Sequence, residues 1–256
     1  MKPHEQVSAA IRAAGEEGRT ALVAFITAGY PDKNAFCQTL AEVAQAADVV
    51  EVGVPFSDPM ADGLTIQRAS RGAIEQGVTL SWILGEIEAM APKPAAPVVL
   101  MSYLNPLLAM GYQRLAERAV AAGVAGFIVP DLPLDESEPL DEALAARGLA
   151  LIHLVSPVTP PARVAAAAQA TRGFLYAVNI TGITGGAKAA GEGLKDYLAG
   201  VAAQSPVPVC AGFGVRSAAQ VRELGQVVPG VIVGSALVEA LERGEAPGEF
   251  LGALRS

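Results

Sequence analysis

The sequence contains few cysteines and few histidines. Its two cysteines, Cys37 and Cys210, lie far apart and form no CxxC motif, which argues against a disulfide framework and indicates reduced thiols in a cytoplasmic protein. Its two histidines, His4 and His153, offer neither a pair of metal ligands nor an evident catalytic base. We therefore expect no metal site.

Clusters of positive charge are missing as well. Lysine and arginine number 18 against 26 acidic residues, so the formal net charge is −8, and the basic residues are not grouped. This pattern argues against binding to nucleic acid or to an anionic membrane surface. The longest apolar runs have the length of strands, and the first residues lack the apolar core of a signal peptide. We expect neither a membrane span nor a secretory leader.

What the chain does have is material for a large core. It is 52% hydrophobic and only 17% charged over 256 residues. About eight short apolar runs are each followed by a helical pattern, and continuous apolar runs are typical of strands buried on both faces. This order fits an α/β fold of the (β/α)8 TIM-barrel type better than an open doubly wound sheet. We expect residues 1–256 to form a single barrel domain with an extra N-terminal helix over 4–17.

One strand carries an acid among β-branched residues. In the strand predicted over 49–54, Glu51 shares a face with Val49 and Gly53, and the loop that follows holds Asp62. A buried carboxylate costs several kcal/mol unless it is paired or neutralised, and a catalytic acid needs the same surroundings. The alternatives are a solvated residue on an edge strand or a structural ion pair.

Glycines follow three of the later strands. They lie at 181–186, at 212–214 and at 234–235, where the last pair opens a helix. Glycine lets backbone N–H groups approach an anion closely, and a helix N-terminus adds its dipole. Phosphate sites in such barrels are often built from the loops after the seventh and eighth strands. We therefore predict a phosphate site here, and a lid in the small-residue loop 185–193.

Several motifs along nearly the whole chain resemble those of the tryptophan synthase alpha subunit family. The most specific is Val-Glu-Val-Gly-Val-Pro-Phe-Ser-Asp-Pro-Met-Ala-Asp-Gly at 50–63. The others are Phe-Ile-Thr-Ala-Gly-Tyr-Pro at 25–31, Leu-Met-Ser-Tyr-Leu-Asn-Pro at 100–106, Val-Pro-Asp-Leu-Pro at 129–133, Gly-Ile-Thr-Gly at 182–185, Gly-Phe-Gly-Val at 212–215 and Gly-Ser-Ala at 234–236.

The resemblance implies a carbon–carbon lyase of tryptophan biosynthesis. Its reaction would be the retro-aldol cleavage of indole-3-glycerol phosphate to indole and glyceraldehyde 3-phosphate. It also implies a beta-subunit partner in an alpha2beta2 heterotetramer, to which the indole is passed. Pyridoxal phosphate is then expected only in that partner, and no cofactor is expected in this chain.

The resemblance also assigns roles to residues. Glu51 is implied as the acid and base, and Asp62 as the carboxylate at the indole N–H. Phe25, Leu100 and Phe213 would flank the indole, Tyr176 would lie near the glycerol, and Thr184 would contact Asp62 on closure. Backbone donors would hold the phosphate, namely those of Gly185, Gly214, Gly234 and Ser235.

Two other functions stay open at this point. One is a different phosphate-binding barrel enzyme, although the apolar strands offer no catalytic lysine. The other is a non-catalytic barrel that only activates a partner, although a pure scaffold has no reason to bury Glu51. One departure from the family pattern is Leu64 in place of a proline, which would loosen the loop that carries Asp62. We expect Asp58 to order its own loop, and Asp131 to orient a neighbour or to face the partner.

Overall fold

A parallel β-barrel forms the centre of the molecule. The computed structural model describes residues 1–178 and 192–256. In those residues every neighbouring pair of strands is parallel, and the order is β5-β4-β3-β2-β1-β9-β8-β7-β6. The strands are β1 (Ala21–Thr27), β2 (Val49–Gly53), β3 (Val98–Met101), β4 (Val124–Ile128), β5 (Ala150–Ile152), β6 (Leu154–Val155), β7 (Leu175–Val178), β8 (Val209–Gly212) and β9 (Gly230–Val233).

The two ends of this strand order are one piece of chain. Only His153 separates β5 from β6, yet β5 pairs with β4 and β6 pairs with β7. The sheet therefore closes on itself with eight strand positions, the fifth of which is interrupted at His153. This confirms the predicted TIM-barrel class. The prediction that residues 1–256 form a single domain stays a prediction.

Helices surround the strands. Those in the described residues are α1 (Pro3–Glu16), α2 (Phe36–Ala46), α3 (Leu64–Glu75), α4 (Leu80–Ala89), α5 (Leu104–Met110), α6 (Tyr112–Ala122), α7 (Glu138–Ala145), α8 (Pro161–Ala170), α9 (Glu192–Gln204), α10 (Ala218–Gly225), α11 (Ser235–Glu242) and α12 (Pro247–Leu254). None of them combines the length and the apolar character that a membrane crossing requires.

One predicted helix is two helices. The pattern over 105–122 predicts a continuous helix, but the chain turns at Gly111 between α5 and α6. Gly111 has φ +79°, a conformation that L side chains rarely adopt, so glycine ends the first helix and begins the second. α5 begins directly after β3, and its N-cap residue, Tyr103, contacts Ala61 in the loop that carries Asp62.

Side chains alternate between two separate cores. Val23, Val49, Val99 and other inward residues fill the barrel interior, and Val7 and Ile11 of α1 pack against this set. The extra N-terminal helix was predicted, and it closes the amino end of the barrel. The outward residues of the same strands pack with the helices in a larger core. Any strand residue can therefore be assigned to the interior or to the helix layer by its position in this alternation.

Candidate active site

Glu51 points into the barrel interior. It lies on β2 between Val49 and Gly53, it pairs in register with Phe25 of β1, and only 1% of it is exposed. Its Oε2 atom is buried and has no hydrogen-bond partner in the described part of the chain. Burial, and secondly the negative charge of Asp62, raise the pKa of Glu51 to about 8. The side chain therefore carries a proton at neutral pH.

Asp62 lies in the loop after β2 and is half-buried. Burial raises the pKa of Asp62, and the neighbouring Tyr103 hydroxyl acts in the opposite direction. The Tyr103 hydroxyl also accepts the N–H of Ala61 at 2.8 Å, and its ring stacks on Phe56 with 4.8 Å between the centroids. Tyr103 thus fastens the Asp62 loop and supports the ionised form of Asp62. It was not among the predicted site residues, although it lies inside the motif at 100–106.

A narrow cleft lies beside Asp62 at the carboxyl ends of β1, β2 and β3. Phe25, Ile66 and Met101 give it apolar walls, while Thr27 and Tyr103 contribute hydroxyl groups. Thr27 is 3% exposed, and its Oγ1 has no hydrogen-bond partner among the described residues. An apolar cleft with a few polar groups suits a flat aromatic ligand that carries one N–H.

Two strand glycines give space to aromatic rings. A Cβ at Gly53 would lie 2.5 Å from Cζ of Phe25, and a Cβ at Gly212 would lie 2.5 Å from Cε2 of Tyr176. Tyr176 is half-buried, and burial raises the pKa of its hydroxyl well above the usual range, so it stays protonated. The structure therefore brings Phe25 and Tyr176 into the same interior as Glu51.

Leu100 is not in this interior, and its predicted contact with the substrate is wrong. It lies one residue beyond the inward-facing Val99 on β3, is fully buried, and belongs to the core between the strands and the helices. The next residue, Met101, has the inward orientation and lines the cleft. Alternation along β3 was a usable signal, because Val99 and Met101 share a face.

The glycine loops after β8 and β9 are neighbours, because these strands pair. Gly214 is exposed and has φ +67°, which favours glycine, and Phe213 beside it is half-buried against the outer core. Gly234 is the N-cap of α11, and Ser235 is the first residue of that helix. Thr184 and Gly185 lie outside the described residues.

Three remaining predictions concern residues at the same end of the barrel. Asp58 is exposed and accepts a hydrogen bond from Ser57 next to it, within its own loop. Asp131 accepts the backbone N–H of Leu104 at 2.9 Å, so it fixes the start of α5 beside Tyr103. Leu64 is 81% exposed at the start of α3. Across 1–178 and 192–256, no three His, Cys, Asp or Glu residues are grouped so that they could hold a metal ion.

A closed parallel barrel with a buried, proton-bearing glutamate beside a second carboxylate defines a barrel enzyme that uses acid–base chemistry. The profile of the family described as "Tryptophan synthase alpha chain" matches residues 11–250. The chain belongs to this family, which confirms the resemblance seen in its motifs. It is accordingly a lyase that cleaves indole-3-glycerol phosphate.

Named relatives and solved structures agree with this assignment. The tryptophan synthase alpha chain of Desulfovibrio desulfuricans is 44% identical over 244 residues, which cover 94% of this chain and 96% of the relative. The tryptophan synthase alpha chain of Deinococcus radiodurans is 40% identical, and the match covers 98% of this chain and 92% of the relative. Among solved structures, a chain of the tryptophan synthase from M. tuberculosis superimposes with a TM-score of 0.86 at 35% identity, covering 98% of this chain and 99% of that one. The tryptophan synthase subunit alpha from Legionella pneumophila superimposes with a TM-score of 0.88 at 31% identity, covering 100% of this chain and 97% of that one.

Proposed function

We propose that this chain cleaves indole-3-glycerol phosphate with Glu51 as the acid and base and Asp62 as the carboxylate at the indole nitrogen. One observation carries the assignment: Glu51 is buried inside the barrel, and its pKa is raised to about 8 beside Asp62. A carboxylic acid that stays neutral at working pH can donate a proton and then take one back. The cleft between Phe25 and Met101 has the apolar walls that an indole ring requires.

The reaction needs two proton movements. Protonated Glu51 gives its proton to C3 of the indole, and the positive charge that results lies largely at the ring N–H, where ionised Asp62 stabilises it. The Glu51 carboxylate then removes the proton of the hydroxyl on the carbon attached to C3. As the C–C bond breaks, its electron pair returns to the ring, which releases indole and the aldehyde of glyceraldehyde 3-phosphate. Glu51 ends the cycle protonated, as it began.

The phosphate end of the substrate is assigned to the loops after β8 and β9. The first backbone N–H groups of a helix have no intrahelical partner, and those at Ser235 therefore favour an anion. Gly214 leaves open space around its Cα, and nothing lies within 4 Å of a Cβ built there. Gly234, together with Thr184 and Gly185 from the motif at 182–185, completes the proposed set. Phe213 and Tyr176 would contact the indole and the glycerol, respectively.

The proposed partner is a beta subunit in an alpha2beta2 heterotetramer, to which indole is passed. The solved structures similar to this chain include the tryptophan synthase from M. tuberculosis. Exposed apolar residues at the carboxyl end of the barrel support a docking face there: Met60 is 81%, Leu108 51% and Val158 74% exposed. Pyridoxal phosphate would belong to the partner, this chain would need no cofactor, and both would work in the cytoplasm without nucleic acid or membrane.

The test is indole release from indole-3-glycerol phosphate by the purified chain, alone and with a beta subunit. The proposal expects turnover that rises when the partner is added. No turnover under either condition would refute the catalytic assignment. Stimulation of the beta subunit without any cleavage would instead support a scaffold, and turnover of another phosphorylated substrate alone would support a different barrel enzyme.

A further inference from the structure

A single carboxylate joins three segments around the proposed site. Glu239 of α11 accepts two hydrogen bonds from Arg216, at 2.7 Å and 2.9 Å, with both guanidinium Nη atoms as donors. The same carboxylate accepts the Thr65 hydroxyl at 3.0 Å. These three residues are called the Glu239 bridge below. A fork of two N–H groups on one carboxylate fixes distance and orientation together.

Each member of the Glu239 bridge belongs to a segment with a proposed function. Arg216 follows Gly214 by two residues in the loop after β8. Glu239 lies one helical turn after Ser235 on α11, on the same side of that helix. Thr65 is in the first turn of α3, three residues after Asp62. The bridge therefore connects both proposed phosphate loops to the segment that carries Asp62.

The charges of the bridge compensate one another. Hydrogen bonds from Arg216 lower the pKa of Glu239 to about 2, so the side chain is a carboxylate at any physiological pH. A bare carboxylate one turn from a phosphate site would repel the ligand, and the guanidinium of Arg216 neutralises it. The Arg216 side chain is 55% exposed and that of Glu239 is 24% exposed. Ion pairs so open to water add little stability, so their removal leaves the fold intact.

We infer that Glu239 is a positioning residue that couples phosphate binding to the placement of Asp62. When the substrate phosphate fixes the loops after β8 and β9, the Glu239 bridge holds the start of α3 in place relative to those loops. The Asp62 loop, which leads into α3, is thereby also held in place. This rests on the proposed function, because it takes the roles of Asp62 and of the phosphate loops from there. The coupling acts through contacts seen in the structure, namely the Arg216 fork and the Thr65 hydroxyl.

A matched control exists one turn further along the same helix. Glu242 also accepts two hydrogen bonds from an arginine, Arg68, at 2.9 Å and 2.7 Å, and a third from the Tyr30 hydroxyl at 2.7 Å. It ties α11 to α3 as Glu239 does. Its three hydrogen bonds come from Arg68 of α3 and from Tyr30. Arg68 lies one helical turn beyond Thr65 on α3, and therefore one turn further from Asp62.

The test compares Glu239→Ala, Glu239→Gln and Thr65→Val with Glu242→Ala. Calorimetry gives the Kd of glycerol 3-phosphate, cleavage of indole-3-glycerol phosphate gives kcat and KM, and urea unfolding verifies the fold of each variant. We expect Glu239→Ala to raise the Kd and to lower kcat, each by about three- to thirtyfold. Glu239→Gln keeps an oxygen for Thr65 but loses the Arg216 fork, so it should mainly raise the Kd. Thr65→Val should lower kcat and leave the Kd unchanged.

Two further comparisons separate positioning from general stability. Glu242→Ala should lose as much stability as Glu239→Ala, with kcat and Kd unchanged. In the double variant Glu239→Ala with Thr65→Val, the loss in kcat should not exceed that of Glu239→Ala alone, because both changes break one contact. Equal kinetics for Glu239→Ala and Glu242→Ala would overturn the inference. A wild-type chain that cleaves nothing would refute the proposed function instead, and the glycerol 3-phosphate Kd values would still decide whether Glu239 supports the phosphate loops.

Discussion

The Phe25 ring occupies the place that a side chain at position 53 would take. A Cβ on Gly53 would lie 2.5 Å from Cζ and 2.7 Å from Cε2 of that ring, and Phe25 itself pairs in register with Glu51. The absence of a side chain at position 53 thus leaves room for an aromatic ring beside Glu51, the proposed acid and base. The Gly53 position is therefore constrained by the site as well as by the strand.

Gly53→Ala should displace the Phe25 ring into the cleft. We expect kcat/KM for indole-3-glycerol phosphate to fall on the order of a hundredfold, because a shift of about 1 Å misplaces the substrate. The free energy of unfolding should fall by about 1–3 kcal/mol through overpacking. Steady-state kinetics and urea unfolding measure the two effects. As a control, Gly85→Ala in α4, where nothing lies within 4 Å of an added Cβ, should leave activity unchanged and add about 0.5–1 kcal/mol. Wild-type kinetics in Gly53→Ala would contradict this role of Gly53.

Tyr103→Phe should change the pH dependence of cleavage. The Tyr103 hydroxyl lowers the pKa of Asp62, so its removal raises that pKa and leaves less ionised Asp62 at acidic pH. The acidic limb of the kcat profile should move to higher pH, and activity should fall most at the acidic end. Tyr112→Phe, which alters a half-buried tyrosine of α6, provides the comparison. An acidic limb that does not move in Tyr103→Phe would exclude Tyr103 as the group that tunes Asp62.

The raised pKa of Glu51 should make the fold less stable as pH rises. The pKa is about 8 in the fold against 4.5 for an ordinary glutamate, so between these values the folded chain keeps a proton that the unfolded chain releases. The contribution of this group to the free energy of unfolding is fully present below pH 4.5. It is lost as the pH rises from 4.5 through 8, with a slope approaching about 1.4 kcal/mol per pH unit.

Urea unfolding of wild type and Glu51→Gln at intervals across that range isolates the effect. Glutamine does not titrate, so the stability of the variant relative to wild type should rise steadily with pH. Asp62, whose pKa is also raised, is present in both proteins, and its contribution largely cancels in the comparison. A constant difference between the two proteins would mean that Glu51 is ionised in the fold.

Asp48 should matter for stability and not for catalysis. It lies at the amino end of β2, opposite the end that leads to Asp62, and accepts hydrogen bonds from Arg19 at 2.6 Å, from Arg255 at 2.9 Å and from the N–H of Leu22 at 2.8 Å. Its side chain is only 8% exposed. Asp48→Asn should cost about 2–3 kcal/mol in urea unfolding and leave kcat unchanged.

The comparison variant for Asp48 is Asp135→Asn. Asp135 forms an ion pair with Arg163 at 2.8 Å, and its side chain is 72% exposed. Pairs of this kind contribute about 0–1 kcal/mol, so the variant should unfold almost as the wild type does. Equal losses in the two variants would show that burial of Asp48 does not strengthen its contacts.

Alternation along the strands explains which site residues could be predicted and which could not. It correctly placed Glu51 with Val49 and Gly53 on one face, and that face is the barrel interior. The family motif assigns Leu100 to the site. Alternation along β3 instead assigns Leu100 to the core between the strands and the helices, and Met101 to the barrel interior. The barrel itself was predictable, since eight apolar runs followed by helices leave few other folds.

Other features depend on contacts that no local pattern encodes. The contact between Tyr103 and Asp62 joins positions 41 residues apart. The contact between Gly212 and the Tyr176 ring joins two different strands. A glycine in a strand pattern indicates, by itself, only a position that weakens the strand. The pattern around Gly111 predicts an unbroken helix, because a single glycine inside a helical pattern does not reveal a positive φ.

The most direct test of the central claim is the turnover number of Glu51→Gln. The amide keeps the size of the side chain but can neither donate the proton to C3 nor take one from the hydroxyl. We expect kcat for cleavage of indole-3-glycerol phosphate to fall by about 10²–10⁴-fold, while Asp58→Asn, a change in the neighbouring exposed loop acid, keeps the wild-type rate. A Glu51→Gln chain that folds and turns over within about tenfold of wild type would contradict the assignment of Glu51 as the acid and base.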